Sequence, residues 1–270
     1  MVDLLTLPTV TGLPLLALSL LAALGFGAGT LNGLLGIGGG ILLIPLLIYG
    51  TGISMHQAAG ITAVQGVVSG AVGIMVHRRR TQIDATVGLL IASTGVLAAA
   101  LAALASQHVP PRAIILVYLA VVVAVLASVL LPVQPRQGGS SHRPQGIARR
   151  LRCLGIGAVG GTLTGLVGAG GSFVAVPMML RTLGMPVREA IGTSMIVLLT
   201  IAAAATLGKA ATGQVPALWT AGVIGGSLVG AQVGAHLSHR ASPRLLHRLL
   251  AGVLSLILVR VLWDVVVTLL

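Results

Sequence analysis

A chain of 270 residues with 56% hydrophobic and 7% charged residues is not a water-soluble domain, which would carry roughly a quarter charged residues. Its formal net charge of +12 sits in short stretches beside apolar runs, so it reports orientation across a bilayer rather than nucleic-acid binding. The single cysteine, Cys153, excludes an internal disulfide and a multi-cysteine metal site.

The apolar runs are continuous and about 20 residues long, the length of a membrane-crossing helix rather than of a barrel strand. The first covers residues 12–35, with Gly25, Gly27, Gly29 and Gly33 along it. Its N-terminal side has no basic residue, so a cleavable signal peptide is not expected. A break at Gly36–Gly40 follows, then a segment at 41–50 of about half the crossing length. Segments at 54–76, 85–105 and 113–133 complete a group of five. Residues 134–150 are polar, basic and rich in Pro, Gly and Ser, which reads as a solvated cytoplasmic linker.

The pattern then restarts. A shift of 132 positions lays residues 29–64 on 161–196 without a gap, pairing Gly33, Gly36, Gly38, Gly39, Pro45 and Gly60 with identical residues. Two homologous halves are the simplest account, residues 1–133 and 151–270. Orientation follows from the basic residues. If the first two segments of each half return the chain to its starting side, the second half is upside down. Every Lys and Arg except Arg112, Lys209 and Arg260 is then cytoplasmic, and both termini are outside. A parallel arrangement puts Arg181, Arg188, Arg240, Arg244 and Arg248 outside as well, so the inverted one is expected. The predicted fold is an all-α polytopic membrane protein. Two inverted five-segment repeats carry broken or re-entrant Gly-rich helices that meet near the membrane midplane.

In hydrocarbon an unwound Gly-rich stretch is tolerated only inside protein or beside a wet cavity. The short segments begin directly after the glycines, so their N-terminal N–H groups and dipoles form an anion site without a charged side chain. The expected lining is Asn32, Gly38, Gly39 and Gly40 in one half and Thr164, Gly170, Gly171 and Ser172 in the other. The plainer role for any one of these glycines is close helix packing. Thr62, Gln65, Thr193 and Ser194 add polar groups to the third segments, where hydroxyls either meet a ligand or bond back to their own helix. His77 and Lys209 are repeat partners, read as an electropositive vestibule or a coupling group, or more plainly as interfacial anchors. The four acidic residues, Asp3, Asp84, Glu189 and Asp264, leave no carboxylate in mid-span, which argues against a cation pathway. Gly222, Gly226, Gly230 and Gly234 recur every fourth residue and read as a packing stripe.

The motifs Gly33-Leu34-Leu35-Gly36-Ile37-Gly38-Gly39-Gly40…Pro45 and Gly165-Leu166-Val167-Gly168-Ala169-Gly170-Gly171-Ser172…Pro177 resemble those of the TauE/SafE sulfite-exporter family. Gly192-Thr193-Ser194 and the chain length agree, although the first half has Gly60-Ile61-Thr62 at the matching place. The resemblance implies a multi-pass carrier in a bacterial or archaeal cytoplasmic (inner) membrane, acting on sulfite, sulfonates or related anions. The expectation is a secondary transporter working by alternating access, with proton coupling as the default. Its expected partners are a small oxyanion or sulfonate, the lipid bilayer and, as one option, a second copy in a homodimer. Nucleic acid, a metal ion, a cofactor and a catalytic residue are not expected. Two rivals are a passive anion channel and an intramembrane hydrolase with Ser172 as nucleophile and His236 as base.

Overall fold

The computed structural model describes residues 15–36, 38–77, 83–130 and 146–240, with scattered positions between 242 and 259. The expectations for 134–145, Arg78–Arg80, Gln82 and most of the last segment lie outside the described residues. Among those described, the secondary structure is helical. In chain order the helices are α1 (Leu15–Leu35), α2 (Gly40–Thr51), α3 (Met55–His77), α4 (Ala85–Ala105), α5 (Pro111–Leu130), α6 (Gly146–Val167), α7 (Ser172–Met178), α8 (Val187–Ala211) and α9 (Ala217–Arg240). A 3-10 turn at Ser106–His108 ends α4, and a π turn at Met179–Leu183 extends α7. Helix α6 starts at Gly146, inside the stretch expected as linker. Arg149 ties its first turns to Asp84 at 2.6 Å, and Arg152 donates to the Thr182 carbonyl.

Five described helices are long and apolar enough to cross a membrane: Ala17–Leu35, Met55–His77, Ala85–His108, Val187–Ala211 and Ala217–Ser238. Their faces show why the sequence is so rich in glycine. A Cβ on Gly226, Gly230 or Gly234 of α9 would strike the backbone of α1 at Ala22, Phe26 or Thr30. A Cβ on Gly25, Gly29 or Gly33 of α1 would strike α9 in return. The stripe on α9 is therefore half of a glycine-to-backbone seam. A second seam joins α6 to α4, where Gly157, Gly161 and Gly165 abut Ile91, Gly95 and Ala99. Under the 132-residue shift, the α1–α9 seam maps onto the α6–α4 seam.

These contacts also fix direction. Partners rise together along α1 and α9 (Gly25 with Val223, Gly29 with Ser227, Gly33 with Ala231), so the two helices are parallel. Helix α3 rises with α9, from Gly60 against Gln214, three residues before α9 begins, to Ser69 against Ser227 within it. Helix α8 runs the other way along α3, with Gly66 on Ala202, Gly70 on Leu199 and Gly73 on Met195. Helix α4 follows α8, from Gly88 on Ile196 to Ala103 against Gly208, and α6 follows α4. So α1, α3 and α9 point one way and α4, α6 and α8 the other. Since α1 and α3 share a direction, the chain between them must come back. Helix α2 makes that return. Its 12 residues span about 18 Å, a little over half of a hydrocarbon core about 30 Å thick.

Candidate functional site

The return begins at a sharp reversal in each half. In the first, Gly36 and Gly38 adopt φ of 69° and 78°; in the second, Gly168 and Gly170 adopt 78° and 79°. Side chains with a Cβ rarely occupy this left-handed region, so both loops need glycine at the same two places. The reversals meet: a Cβ built on Gly38 would lie 3.0 Å from the Ala169 carbonyl oxygen, and one on Gly170 would lie 3.7 Å from the Gly38 Cα. The meeting point lies between α3 and α8, where Leu198 reaches Gly170 and Gly66 alike. Gly39 and Gly171 are the residues before α2 and α7, and neither supplies a capping side chain. The first N–H groups of a helix have no acceptor within it.

Side chains supply the rest. Asn32 of α1 is fully buried, and its Oδ1 accepts from the Gly38 N–H at 2.8 Å, which holds the first reversal in shape. Its Nδ2 has no partner. Gln65 of α3, also fully buried, comes within 2.8 Å of a Cβ built on Gly39. Its Nε2 donates to Ser69 Oγ at 2.8 Å and to Ser227 Oγ at 3.2 Å, the two hydroxyls lie 3.0 Å apart, and Oε1 is unpartnered. Ser172 Oγ would lie 3.1 Å from a Cβ on Gly38, is buried and has no partner. Tyr118 of α5 donates its hydroxyl to the Ile41 carbonyl and so pins the first turn of α2 from outside.

The remaining expected residues are placed as follows. Gly39, Gly40 and Gly171 serve close approach, because a Cβ on them would strike Ala28, the Ala169 backbone, or Thr164 Oγ1 with the Gly160 carbonyl oxygen. Thr164 Oγ1 donates to the Gly160 carbonyl at 2.6 Å, and Thr62 Oγ1 donates to Ala58 and Ala59, so both hydroxyls bond back to their own helices. Ser194 Oγ lies 2.9 Å from the Gly36 carbonyl and 2.7 Å from that of Ile191, so its hydroxyl is shared between the first reversal and its own helix. Thr193 is not brought to the reversals. Its Oγ1 accepts from the Asp84 N–H at the start of α4, where the Asp84 carboxylate caps Val87.

His77 and Lys209 are both buried rather than lining an open mouth. Lys209 Nζ donates to Gln214 Oε1 at 3.1 Å, Ser106 Oγ at 3.3 Å and the Leu166 carbonyl at 3.4 Å, two residues before the second reversal. None of these acceptors is a carboxylate. Ser172 and His236 do not meet: His236 is exposed and bonds to the Gln232 carbonyl.

Two groups at the site were missed from sequence. Ser69 stands four residues after Gln65, a spacing that puts both on one helix face and is visible in the sequence. Ser227 hid inside the glycine stripe of α9. A cavity of about 430 Å³ lies elsewhere, between α5, α6 and α7, with apolar walls of Val121, Leu163, Val174 and Met178 and Arg181 among its lining residues.

Comparison with known proteins adds to this geometry. The family model described as Sulfite exporter TauE/SafE matches residues 21–261. The chain belongs to the TauE/SafE family. It is therefore a multi-pass membrane transporter. Within curated proteins it is 27% identical over 181 residues to a probable membrane transporter protein of Xylella fastidiosa strain Temecula1, covering 66% of this chain and 69% of that one. A protein of the same description from strain 9a5c is 26% identical over 220 residues, covering 78% and 83%. Probable membrane transporter protein YdhB of Bacillus subtilis is 24% identical over 193 residues, covering 70% and 78%. No solved structure gives a significant match. The TauE/SafE match spans both glycine reversals.

Proposed function

We propose that this TauE/SafE transporter is a secondary carrier that exports a small sulfur-containing anion, such as sulfite or an organosulfonate, across a bacterial or archaeal cytoplasmic membrane. The single observation that carries the reading is the meeting of two glycine reversals inside the helix bundle, flanked by buried polar atoms without partners. Such a site offers N–H and hydroxyl groups to an oxyanion and contains no carboxylate to repel it.

The two halves are inverted repeats in this reading. Support comes from α3 and α8, which are equivalent under the 132-residue shift yet run antiparallel. An axis along the membrane normal would leave equivalent helices parallel, whereas an axis in the membrane plane reverses them. Helix α2 then opens to the outside and α7 to the cytoplasm. Rocking one half against the other exposes the shared reversals to each side in turn. Protons couple the movement, with His77 at one end of the paired central helices and Lys209 at the other as the titratable groups nearest the path.

The test is counterflow of labelled sulfite in proteoliposomes, with unlabelled sulfite, sulfoacetate, sulfate and acetate as competitors. Saturable exchange that one competitor blocks is expected. Flux that rises linearly with concentration and shows no counterflow would replace the carrier by a passive channel.

A further inference from the structure

The two reversals share a backbone but not a lining. Around the first stand Asn32, Gln65, Ser69 and Ser227, all fully buried. The 132-residue shift carries Asn32, Gln65 and Ser69 to Thr164, Val197 and Ile201. Ser227 of α9 corresponds to Gly95 of α4. The second reversal therefore has one hydroxyl where the first has two amides and two hydroxyls, and that one, on Thr164, is already used by the Gly160 carbonyl. The α2 and α7 starts break the symmetry in the same direction. Gly40 begins α2, while Ser172 begins α7 and turns its hydroxyl toward Gly38 of the first reversal. Among the described residues, the unpartnered polar atoms at the meeting point belong to Asn32, Gln65 and Ser172, all three of which lie against or reach toward the first reversal. Leaving such an atom buried and unpaired costs about 1–3 kcal/mol, so three together imply an occupant. Gln65 Nε2 holds Ser69 and Ser227 and leaves Oε1 over; with the amide turned about, Oε1 accepts from the two serine hydroxyls and Nε2 becomes the free donor, the end an anion needs.

The geometry points to a single, off-centre binding pocket. The anion is held on the side of the first reversal by Asn32 and Gln65, with Ser172 reaching across from the end of the second and Ser69 and Ser227 orienting Gln65; apart from Ser172 the second reversal supplies shape alone. The pocket also sets the charge of its ligand. The groups facing it are neutral amides and hydroxyls and the partial charge of helix ends. The cost of desolvating an ion grows with the square of its charge, and neutral donors offset it for a monoanion far better than for a dianion. The ligand class is a singly charged oxyanion head, a sulfonate or a protonated oxyanion, an assignment that rests on the transport reading above.

The experiment is counterflow kinetics of labelled sulfite with the full chain in proteoliposomes, for wild type, Ser172→Ala, Ser227→Ala and Val197→Thr, the last at the position equivalent to Gln65. Methanesulfonate and sulfate are the competitors. Ser172→Ala is expected to raise KM about tenfold, the worth of one hydrogen bond to a charged group, and Ser227→Ala to raise it about threefold by loosening Gln65, with Vmax per reconstituted protein held within about twofold in both. The melting temperature of Ser172→Ala is expected to stay at the wild-type value, since that hydroxyl has no partner to lose. Val197→Thr is expected to leave KM within about twofold, and methanesulfonate to compete where sulfate does not. An unmoved KM in both serine variants, an equal shift in Val197→Thr, or sulfate competing as well as methanesulfonate would overturn the off-centre pocket while leaving the carrier in place. Absence of wild-type counterflow would overturn the transport reading itself, and this assignment with it.

Discussion

Gly36–Gly40 and Gly168–Ser172 are the same turn built twice. Each has glycine in the left-handed region at its first and third positions, each precedes a short helix containing a proline, and each lies against the other. They differ in what surrounds them. The first is braced by Asn32, which accepts from the Gly38 N–H six residues on, and by Ser194 of α8, whose hydroxyl is shared between the Gly36 carbonyl and Ile191 of its own helix. At the second, the equivalent hydroxyls of Thr164 and Thr62 bond back to their own helices. Backbone geometry was retained in both halves while polar lining gathered in one. Symmetry of fold and asymmetry of chemistry are thus separable, and substitutions at paired positions separate them.

The largest effect is expected from the left-handed glycines. Gly168→Ala forces a Cβ into the Ala59 backbone as well as an unfavourable φ, and is expected to abolish both assembly and transport. Gly36→Ala meets a movable group first, Ser194 Oγ at 2.8 Å, so it should reach the membrane while losing most counterflow. Immunoblots of membranes beside flux assays check the pair, and equal expression would blur the distinction.

Next comes Lys209. Its ammonium is enclosed by a carbonyl, an amide and a hydroxyl, with no carboxylate among its described partners, and a charge so enclosed is costly to folding. Lys209→Met is expected to raise the melting temperature in detergent while lowering counterflow about tenfold, the loss of one charge-assisted interaction. A lower melting temperature would make the ammonium a structural clasp instead.

Asn32→Ala strips the acceptor from a buried N–H and is expected to cost about 1–3 kcal/mol, read as a lower denaturation midpoint, whereas Thr164→Ala should cost under about 1 kcal/mol. The smallest contrast is Ser194→Ala, at about 1 kcal/mol through its bond to Gly36, against a near-zero cost for Thr62→Ala. Equal losses within either pair would mean that the two turns are braced alike.

How much of this was legible in sequence depends on range. The helices were readable from apolar runs and their breakers: 85–105 matches α4 at both ends, and 54–76 is α3 shifted by one residue. The reversals were readable because glycine and proline recur at fixed places, which no packing stripe alone requires. The α9 stripe was readable as a stripe, but its partner was not, since nothing in Gly226 names Ala22. For the same reason the Gln65–Ser69–Ser227 group escaped notice: it is closed by a contact across 162 positions. Thr193 was grouped with its neighbour Ser194 as a third-segment hydroxyl, but adjacent residues of a helix face different ways, and its partner, the Asp84 N–H, lies 109 positions away. Lys209 looked like an interfacial anchor because burial of its ammonium depends on Ser106, 103 positions away, as well as on Gln214 five residues on.

The arrangement of two turns entered from opposite sides is tested most directly by labelling cysteines placed beyond α2 and α7. In a Cys153→Ser background, Gly50→Cys sits where a Cβ meets nothing within 4 Å, and Arg181→Cys is likewise exposed. A membrane-impermeant maleimide applied to intact cells should label Gly50→Cys, and should label Arg181→Cys only after the membrane is opened. Labelling of both from the same side would contradict inverted halves and the shared, alternately exposed site built on them.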